Sequence, residues 1–377
     1  MLNLFLFVFS TTVAHAQCQS QIRGLFDVGS GSTKLTLAKV NVCPGKVRIE
    51  EILEERLSFA VALEASKNSK GEISAKAQAQ AVQAVKDLRL KAFEIARKKA
   101  SYISVVNFAA VGTHAFRTAT NKKVLADQIE ALGIPMKEVS QADEGRFGYE
   151  GVKVKGIAKT CGRRTLWVWD IGGGSWQLTS LNLATYDFFG AEFGAEAFKS
   201  SMIRSWGDLK PKSPSCPSTE PSPNPIGRKN VSRAIELARL EAQKSLGRFH
   251  LNSKTDCLVG IGGVHVHAAA AALEKHWPQI KTCACRGAPT CAVKKGMYSR
   301  QQLHCLAEHL SQKSDCDPEL KGDYSTTAVS NLFLILGFLE QLKIDQIPTL
   351  GVNMGHHLLQ SHGLVEFKAT PVPSVEN

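Results

Sequence analysis

Two short segments of the chain carry the residue types of phosphate chemistry. Phe26-Asp27-Val28-Gly29-Ser30-Gly31-Ser32-Thr33-Lys34 and Trp169-Asp170-Ile171-Gly172-Gly173-Gly174-Ser175-Trp176-Gln177 read as one motif written twice, offset by 143 residues. In each, an apolar run ends in an aspartate, a Gly/Ser turn follows, and a second alternating run begins. Glycines at 29, 31, 172, 173 and 174 carry no side chain, so successive backbone N–H groups can approach one anion closely. Ser30, Ser32 and Ser175 add hydroxyl donors. A carboxylate beside such donors repels phosphate unless a cation lies between them, so Asp27 and Asp170 predict a divalent metal, Mg²⁺ or a similar cation. Either loop taken alone also reads as a tight glycine hairpin turn; the duplication favours the phosphate reading. Neither loop contains G-x-x-x-x-G-K-[ST], which disfavours the P-loop nucleotide fold. Gly29-Ser30-Gly31 leads into a strand and not a helix, which weakens a dinucleotide reading.

The elements that must position these loops follow from periodicity. Each loop joins two strands into a hairpin, the second strand covering 34–40 or 176–183. After the first hairpin come a strand at 46–53 and a helix at 75–99 with Val82, Val85, Leu88, Ala92 and Ile95 on one face. A buried strand at 103–111, a helix at 122–132, a short strand at 136–139 and a helix from 143 complete the first half. The second half repeats the theme: a strand at 186–189, helices at 191–205 and 231–249, a strand at 256–261 and a helix at 265–275. A buried helix at 326–342, a strand at 349–352 and a short helix at 354–360 close it. Six prolines and Cys216 between 208 and 229 rule out a regular element there and predict an exposed insertion. The fold class is therefore α/β, two similar mixed-sheet domains with flanking helices, facing their loops across a cleft. The expected boundaries are 1–16 for a leader, 17–141 and 142–365 for the domains, and 366–377 for a tail.

Composition narrows the setting. A length of 377 residues, 44% of them hydrophobic, is enough for two ordinary cores. The formal charge of +12 favours anionic partners such as polyphosphate, while the absence of any cluster of five or more Lys and Arg, or of a zinc-finger or RNA-recognition motif, gives specific nucleic-acid binding little support. The apolar run at 2–9 followed by Ala14-His15-Ala16 reads as a signal peptide cleaved after Ala16, although no Lys or Arg precedes Arg23. Ten cysteines suit an oxidising compartment, so the expected location is periplasmic or secreted and the cysteines are expected in disulfides. Cys18 and Cys43 flank the first two strands and are placed to close that end. Cys283, Cys285, Cys291, Cys305 and Cys316 crowd one stretch, but no C-x-x-C pair occurs there to favour zinc. The longest later apolar run, 332–339, is too short to span a bilayer, so no membrane association is expected after leader cleavage. A homodimer is compatible with the sequence.

The ordered set Asp27-Val28-Gly29-Ser30-Gly31-Ser32, Val111-Gly112-Thr113-His114-Ala115-Phe116-Arg117, Asp143-Glu144-Gly145-Arg146 and Asp170-Ile171-Gly172-Gly173-Gly174-Ser175 resembles the exopolyphosphatase and guanosine pentaphosphate phosphatase (Ppx/GppA) family over about 22–200. Gly260-Ile261-Gly262-Gly263 and the segment 351–359 resemble its later motifs. The resemblance implies the actin-like ATPase superfold and Mg²⁺-dependent removal of a terminal phosphate from polyphosphate or a similar phosphoanhydride. Glu144 would be the general base and Arg117 would clamp phosphate oxygens. The plainer readings are that Glu144 sits in a first helical turn for the helix dipole, and that Arg117 is solvent-exposed. His265, His267, His356 and His357 read as polar surface or helix-terminal residues before they read as ligands. Two positions depart from the family pattern: Gln177 stands where a glutamate is usual, and Gly31 where asparagine is usual. The lost charge at 177 leaves open an alternative, a catalytically weak polyphosphate- or nucleotide-binding protein of the same fold.

Overall fold

The computed structural model describes residues 18–99, 104–156, 161–206, 221–285, 292–320 and 325–373. The expected leader at 1–16, Cys216, Cys291 and most of the proline-rich insertion lie outside the described residues.

The first half is built on a mixed sheet. β1 (Gln19–Val28) and β2 (Ser32–Cys43) pair antiparallel with Asp27 opposite Lys34, and β3 (Lys46–Ala60) extends the ladder well beyond the expected 46–53. β4 (Val105–Gly112) runs parallel to β1, and the short β5 (Met136–Glu138) runs parallel to the end of β4. Helix α1 (Ala75–Lys99) covers one face because Ala77, Ala81, Ala84, Val85, Leu88, Ala92 and Ala96 recur at three- and four-residue intervals and are all buried. Burying one Leu-sized side chain contributes about 1.5–3 kcal/mol, so this stripe and not helix propensity fixes the element. Short helices α2 (His114–Arg117) and α3 (Lys122–Glu130) follow β4.

Helix α4 (Gln141–Val154) links the halves. Ser140 caps it by accepting from the Asp143 N–H at 3.1 Å. Gly145, Gly148 and Gly151 lie on one face, where a Cβ would stand 2.5 Å from Thr179 Oγ1, 3.0 Å from Ile261 Cδ1 and 2.9 Å from the Asn353 carbonyl. The glycine stripe thus lets the helix press against the second sheet and the C-terminal segment together.

The second sheet repeats the first. β6 (Thr165–Ile171), β7 (Trp176–Asn182) and β8 (Thr185–Ala191) form an antiparallel meander, and β9 (Asp256–Ile261) runs parallel to β6. The order β8-β7-β6-β9 matches β3-β2-β1-β4 in sequence and sense. Around it pack α5 (Ala195–Trp206), α6 (Val231–Leu246), a π-helical run Val264–Ala271 continuing into α7 (Ala272–Ala284), α8 (Arg300–Leu310) and α9 (Ser325–Leu342). The apolar run of α9 is buried from Leu332 through Leu339, and it approaches α6 so closely that a Cβ on Gly337 would lie 2.4 Å from the Arg239 backbone nitrogen. No helix among the described residues is long and apolar enough to cross a membrane.

Several expectations are corrected. Helix 265–275 starts as a π-helix and continues to Ala284. Helix α8 was not expected, although its Ser299/Gln302 capping box and buried Leu303, Leu306 and Leu310 are visible in the sequence. The strand expected at 349–352 lies earlier: β11 (Gln346–Pro348) pairs with β10 (Met297–Ser299), and Thr349 makes only an isolated bridge to Gly260. The described part of the insertion is partly buried. Ser222 and Asn224 are buried and both bond Asp315, at 2.9 and 2.8 Å, and Ile226 joins the second core. Finally, the chain returns to the first sheet. Helix α10 (Gly355–Leu358) places Met354, Leu358 and Leu359 against Leu25, Ala38 and Val40. In the segment expected to be a tail, β12 (Lys368–Pro371) pairs antiparallel with β4.

The cysteines Cys18–Cys43, Cys161–Cys257 and Cys283–Cys305 are disulfide-bonded, and Cys285 and Cys316 are also oxidised. No cysteine is free among the described residues.

Candidate active site

Both glycine loops close the same way. The Gly29 N–H donates to the Ser32 carbonyl at 3.0 Å, and the Gly172 N–H donates to the Ser175 carbonyl at 2.8 Å. Those two amides are therefore committed to the turns, which leaves anion contact to the rest of each loop. The Ser30 and Gly31 carbonyls accept from Glu64 and Val61, and the Gly172 and Gly173 carbonyls accept from Ala195 and Glu196 at the start of α5.

The loops meet. A Cβ on Gly173 would lie 3.3 Å from Ser30 Cβ, and one on Gly174 would lie 2.5 Å from Ser30 Oγ and 2.0 Å from His114 Cδ2. Only glycine permits that approach. Asp27 and Asp170, at the ends of β1 and β6, consequently face one shared site. Burial, and then the neighbouring Asp27 charge, pushes the Asp170 carboxyl up to about 6, against the pull of Lys34. Burial also raises Asp27, although Lys34 stands 3.7 Å away.

Glu144 and Arg117 complete the constellation. Glu144 lies in the first turn of α4 with 12% of its side chain accessible, and its Oε2 accepts from Arg117 Nη1 at 2.7 Å. Arg117, at the end of α2, also donates to the Val139 carbonyl at 2.9 Å and reaches Ser175 Oγ at 3.5 Å. It is buried in the cleft, so its reading as a solvent-exposed residue is corrected. Burial pushes the Glu144 carboxyl up to about 7; Arg117 opposes this, while Asp170 and Asp27 add to it. A weak base poised near neutrality between two aspartates and a guanidinium has the make-up of a general base.

Many polar atoms here have no partner. Asp27 Oδ1, Ser30 Oγ, His114 Nδ1, Arg117 Nε and Gln177 Oε1 are buried without a hydrogen bond. Unsatisfied buried groups cost about 1–3 kcal/mol each, so their concentration at one place fits a site that a ligand completes. Two aspartates whose negative charges are only partly balanced by Lys34 also fit a divalent cation, which takes oxygen donors and keeps several waters.

The expected Asp27, Asp170, Glu144, Arg117, Ser30, Gly31, Gly173, Gly174 and Ser175 are thus gathered at one place. Gly29, Gly172 and Ser32 build the turns. Sequence reasoning missed Lys34, Glu64, His114 and the role of Gly262. His114 Nε2 stands 3.4 Å from Glu64, which Lys67 also holds at 2.7 Å; despite the opposing effect of burial, these partners keep Glu64 below the usual glutamate range. Gly262 has φ of 81° and a Cβ there would meet Asp170 Oδ1 at 2.3 Å, so the later glycine motif makes room for that carboxylate. Gln177, opposite Asp170 in the β6–β7 ladder, donates to Ser175 Oγ at 2.9 Å. His265, His356 and His357 make their contacts elsewhere. His265 is buried on Tyr298 at 2.6 Å, His356 is buried beside Asn353, and His357 stacks on Phe147, which corrects the reading of His265 and His356 as surface residues.

Comparison with known proteins bears on the fold. The Ppx/GppA phosphatase family model matches residues 46–208. The chain resembles the Ppx/GppA family. A crystal structure of the Aquifex aeolicus Ppx/GppA family member aligns with a TM-score of 0.59 at 15% identity, covering 90% of this chain and 97% of the other. A crystal structure of an exopolyphosphatase from Cytophaga hutchinsonii aligns with a TM-score of 0.57 at 18% identity, covering 90% and 96%. The fold shared with these Ppx/GppA structures is the actin-like ATPase superfold, duplicated mixed sheets with flanking helices. No curated protein matches the chain.

Proposed function

We propose that this chain is a metal-dependent phosphohydrolase that removes the terminal phosphate from polyphosphate or a similar phosphoanhydride outside the cytoplasm. The observation that carries the reading is the buried meeting of Glu144, Arg117, Asp27 and Asp170 between two touching glycine loops. The Ppx/GppA resemblance supports the substrate class, and the disulfides support an oxidising compartment.

In this mechanism Glu144 accepts a proton from water as the water oxygen bonds to the terminal phosphorus. The bridging P–O bond breaks, and the leaving group is the chain shortened by one phosphate. Arg117 places its guanidinium on the equatorial oxygens of the transferring group, where negative charge must be neutralised. When Arg117 turns toward phosphate, Glu144 loses its counter-charge and becomes a stronger base. Ser30 and Ser175 supply hydroxyl donors on either side. Asp27 and Asp170 would hold Mg²⁺ or a similar cation, which supplies charge neutralisation for the phosphate chain when bound.

A second reading, a binding protein that keeps the cleft without turning over, is favoured by one observation: Gln177 places a neutral amide with an unpartnered Oε1 where the family pattern has a carboxylate. Phosphate release by the full, disulfide-bonded chain from polyphosphate and from ATP, with and without Mg²⁺, separates the two. The expected outcome is Mg²⁺-dependent release that falls by about 10²- to 10⁴-fold in Glu144→Gln and rises in Gln177→Glu. Tight polymer binding without release from the parent or from Gln177→Glu would establish the second reading.

A further inference from the structure

A second cluster of ligand-type side chains lies away from the cleft, between α7 and α8. His276 of α7, His309 at the end of α8 and Glu319 in the following turn bring one ligand atom each within 4.8 Å of one another, a grouping found nowhere else among the described residues. His276 Nδ1 lies 3.2 Å from Glu319 Oε2, and His309 Nε2 lies 2.6 Å from the same oxygen. The rings stand 5.8 Å apart. Both imidazoles therefore converge on one carboxylate oxygen. Tetrahedral ligands at about 2.05 Å from zinc stand roughly 3.3 Å apart, so the 3.2 Å and 2.6 Å contacts on Glu319 Oε2 lie near that spacing, and all three atoms fall within 4.8 Å.

The surroundings hold the triad in place. Lys313 Nζ binds the other carboxylate oxygen, Oε1, at 2.5 Å, which leaves Oε2 as the single donor toward the histidines. The turn carrying Glu319 is fixed by its own N–H to Asp317 Oδ1 at 3.0 Å and by Lys275 Nζ on its carbonyl at 2.9 Å. The Cys283–Cys305 disulfide joins the same two helices further along. His276 is buried, whereas His309 and Glu319 are partly accessible, so an ion can enter and keep a water as its fourth ligand.

We propose that His276, His309 and Glu319 form a zinc site that bridges α7 and α8. Two imidazole nitrogens and one carboxylate oxygen suit Zn²⁺ and disfavour Mg²⁺, which prefers all-oxygen shells. The site is separate from the cleft and stands whether or not the phosphohydrolase reading holds.

The test uses the full, disulfide-bonded chain, stripped with a chelator and then titrated with Zn²⁺ or Co²⁺ alone. The expected result is one tightly held zinc ion per chain, and visible Co²⁺ absorption of the strength that marks a tetrahedral site. His276→Gln and His309→Gln are each expected to weaken zinc binding by more than about 100-fold, beyond what loss of an outer-shell partner costs, and to remove the Co²⁺ bands. Any Mg²⁺-dependent phosphate release should be unchanged in His309→Gln. A parent chain that holds no zinc and shows no Co²⁺ bands overturns the proposal, as do bands that persist in both histidine variants. Either result would leave the cluster as a hydrogen-bonded His–Glu–His network.

Discussion

The two aspartate-tipped hairpins are the same structure built for different work. The first is flanked by basic side chains: Asp27 faces Lys34, Arg117 is near enough to act on its charge, and His114 pairs with Glu64 beside the loop. The second supplies neutral donors: Asp170 faces Gln177, and Ser175 is the partner of both Gln177 and Arg117. One half brings positive charge and the other brings hydroxyl and amide groups, so neither can assemble the site alone. Duplication of a fold thus produced two complementary halves.

The most severe way to break this complementarity is to hold the halves apart. Gly174→Ala places a methyl group where His114 Cδ2 and Ser30 Oγ already stand, whereas any phosphate release needs the loops in contact. We expect activity to fall by about 100-fold or more, since small misplacements at a reacting centre cost that much. Stability should fall by about 1–3 kcal/mol, read by denaturant unfolding.

A smaller effect is expected from pH. The Glu144 carboxyl rises from 4.5 to about 7 and that of Asp170 from 3.8 to about 6, both first through burial. A carboxyl with a raised value binds its proton better in the folded state. Its contribution is therefore fully present below about pH 4 and lost as pH rises toward 7. Metal-free protein should lose on the order of 2 kcal/mol over that window relative to Glu144→Gln, and Mg²⁺ should suppress the difference. Thermal unfolding at fixed pH values checks this. An identical pH profile in parent and variant would mean that Glu144 is not the group responsible.

The least effect should come from the matching glycine of the first loop. A Cβ on Gly31 meets nothing within 4 Å. Gly31→Ala is expected to change stability by no more than about 0.5 kcal/mol and to keep activity within a few-fold. The contrast with Gly174→Ala sharpens the comparison, because the same residue type in equivalent turns answers to different neighbours. It also explains how a family pattern with asparagine at this position is sterically admissible.

The parts of the molecule legible in the sequence were those with local signals. Alternating strands around Gly/Ser turns, the long stripe of α1 and the aspartate at each strand end mark both hairpins and the cleft residues. Groups recruited through space were not legible. Glu64 carries no motif of its own, and Lys34 and His114, although they stand inside the quoted motifs, gain their roles only when two loops touch. His276, His309 and Glu319 are spread over two helices and a turn, and no spacing rule connects them. Prolines at 221, 223 and 225 read as an exposed linker because composition cannot show that Ser222 and Asn224 find Asp315. Helix α8 has a capping box and a leucine stripe, set within a stretch dominated by Cys283, Cys285, Cys291, Cys305 and Cys316.

The return of β12 to β4 brings residues 368–371 back into the sheet that the first strands build. Without residues 354–371 the first sheet would lack its β12 edge, and Leu25, Ala38 and Val40 would lose the cover of Met354, Leu358 and Leu359. A chain cut before residue 354 would therefore bare an apolar patch on the amino-terminal lobe.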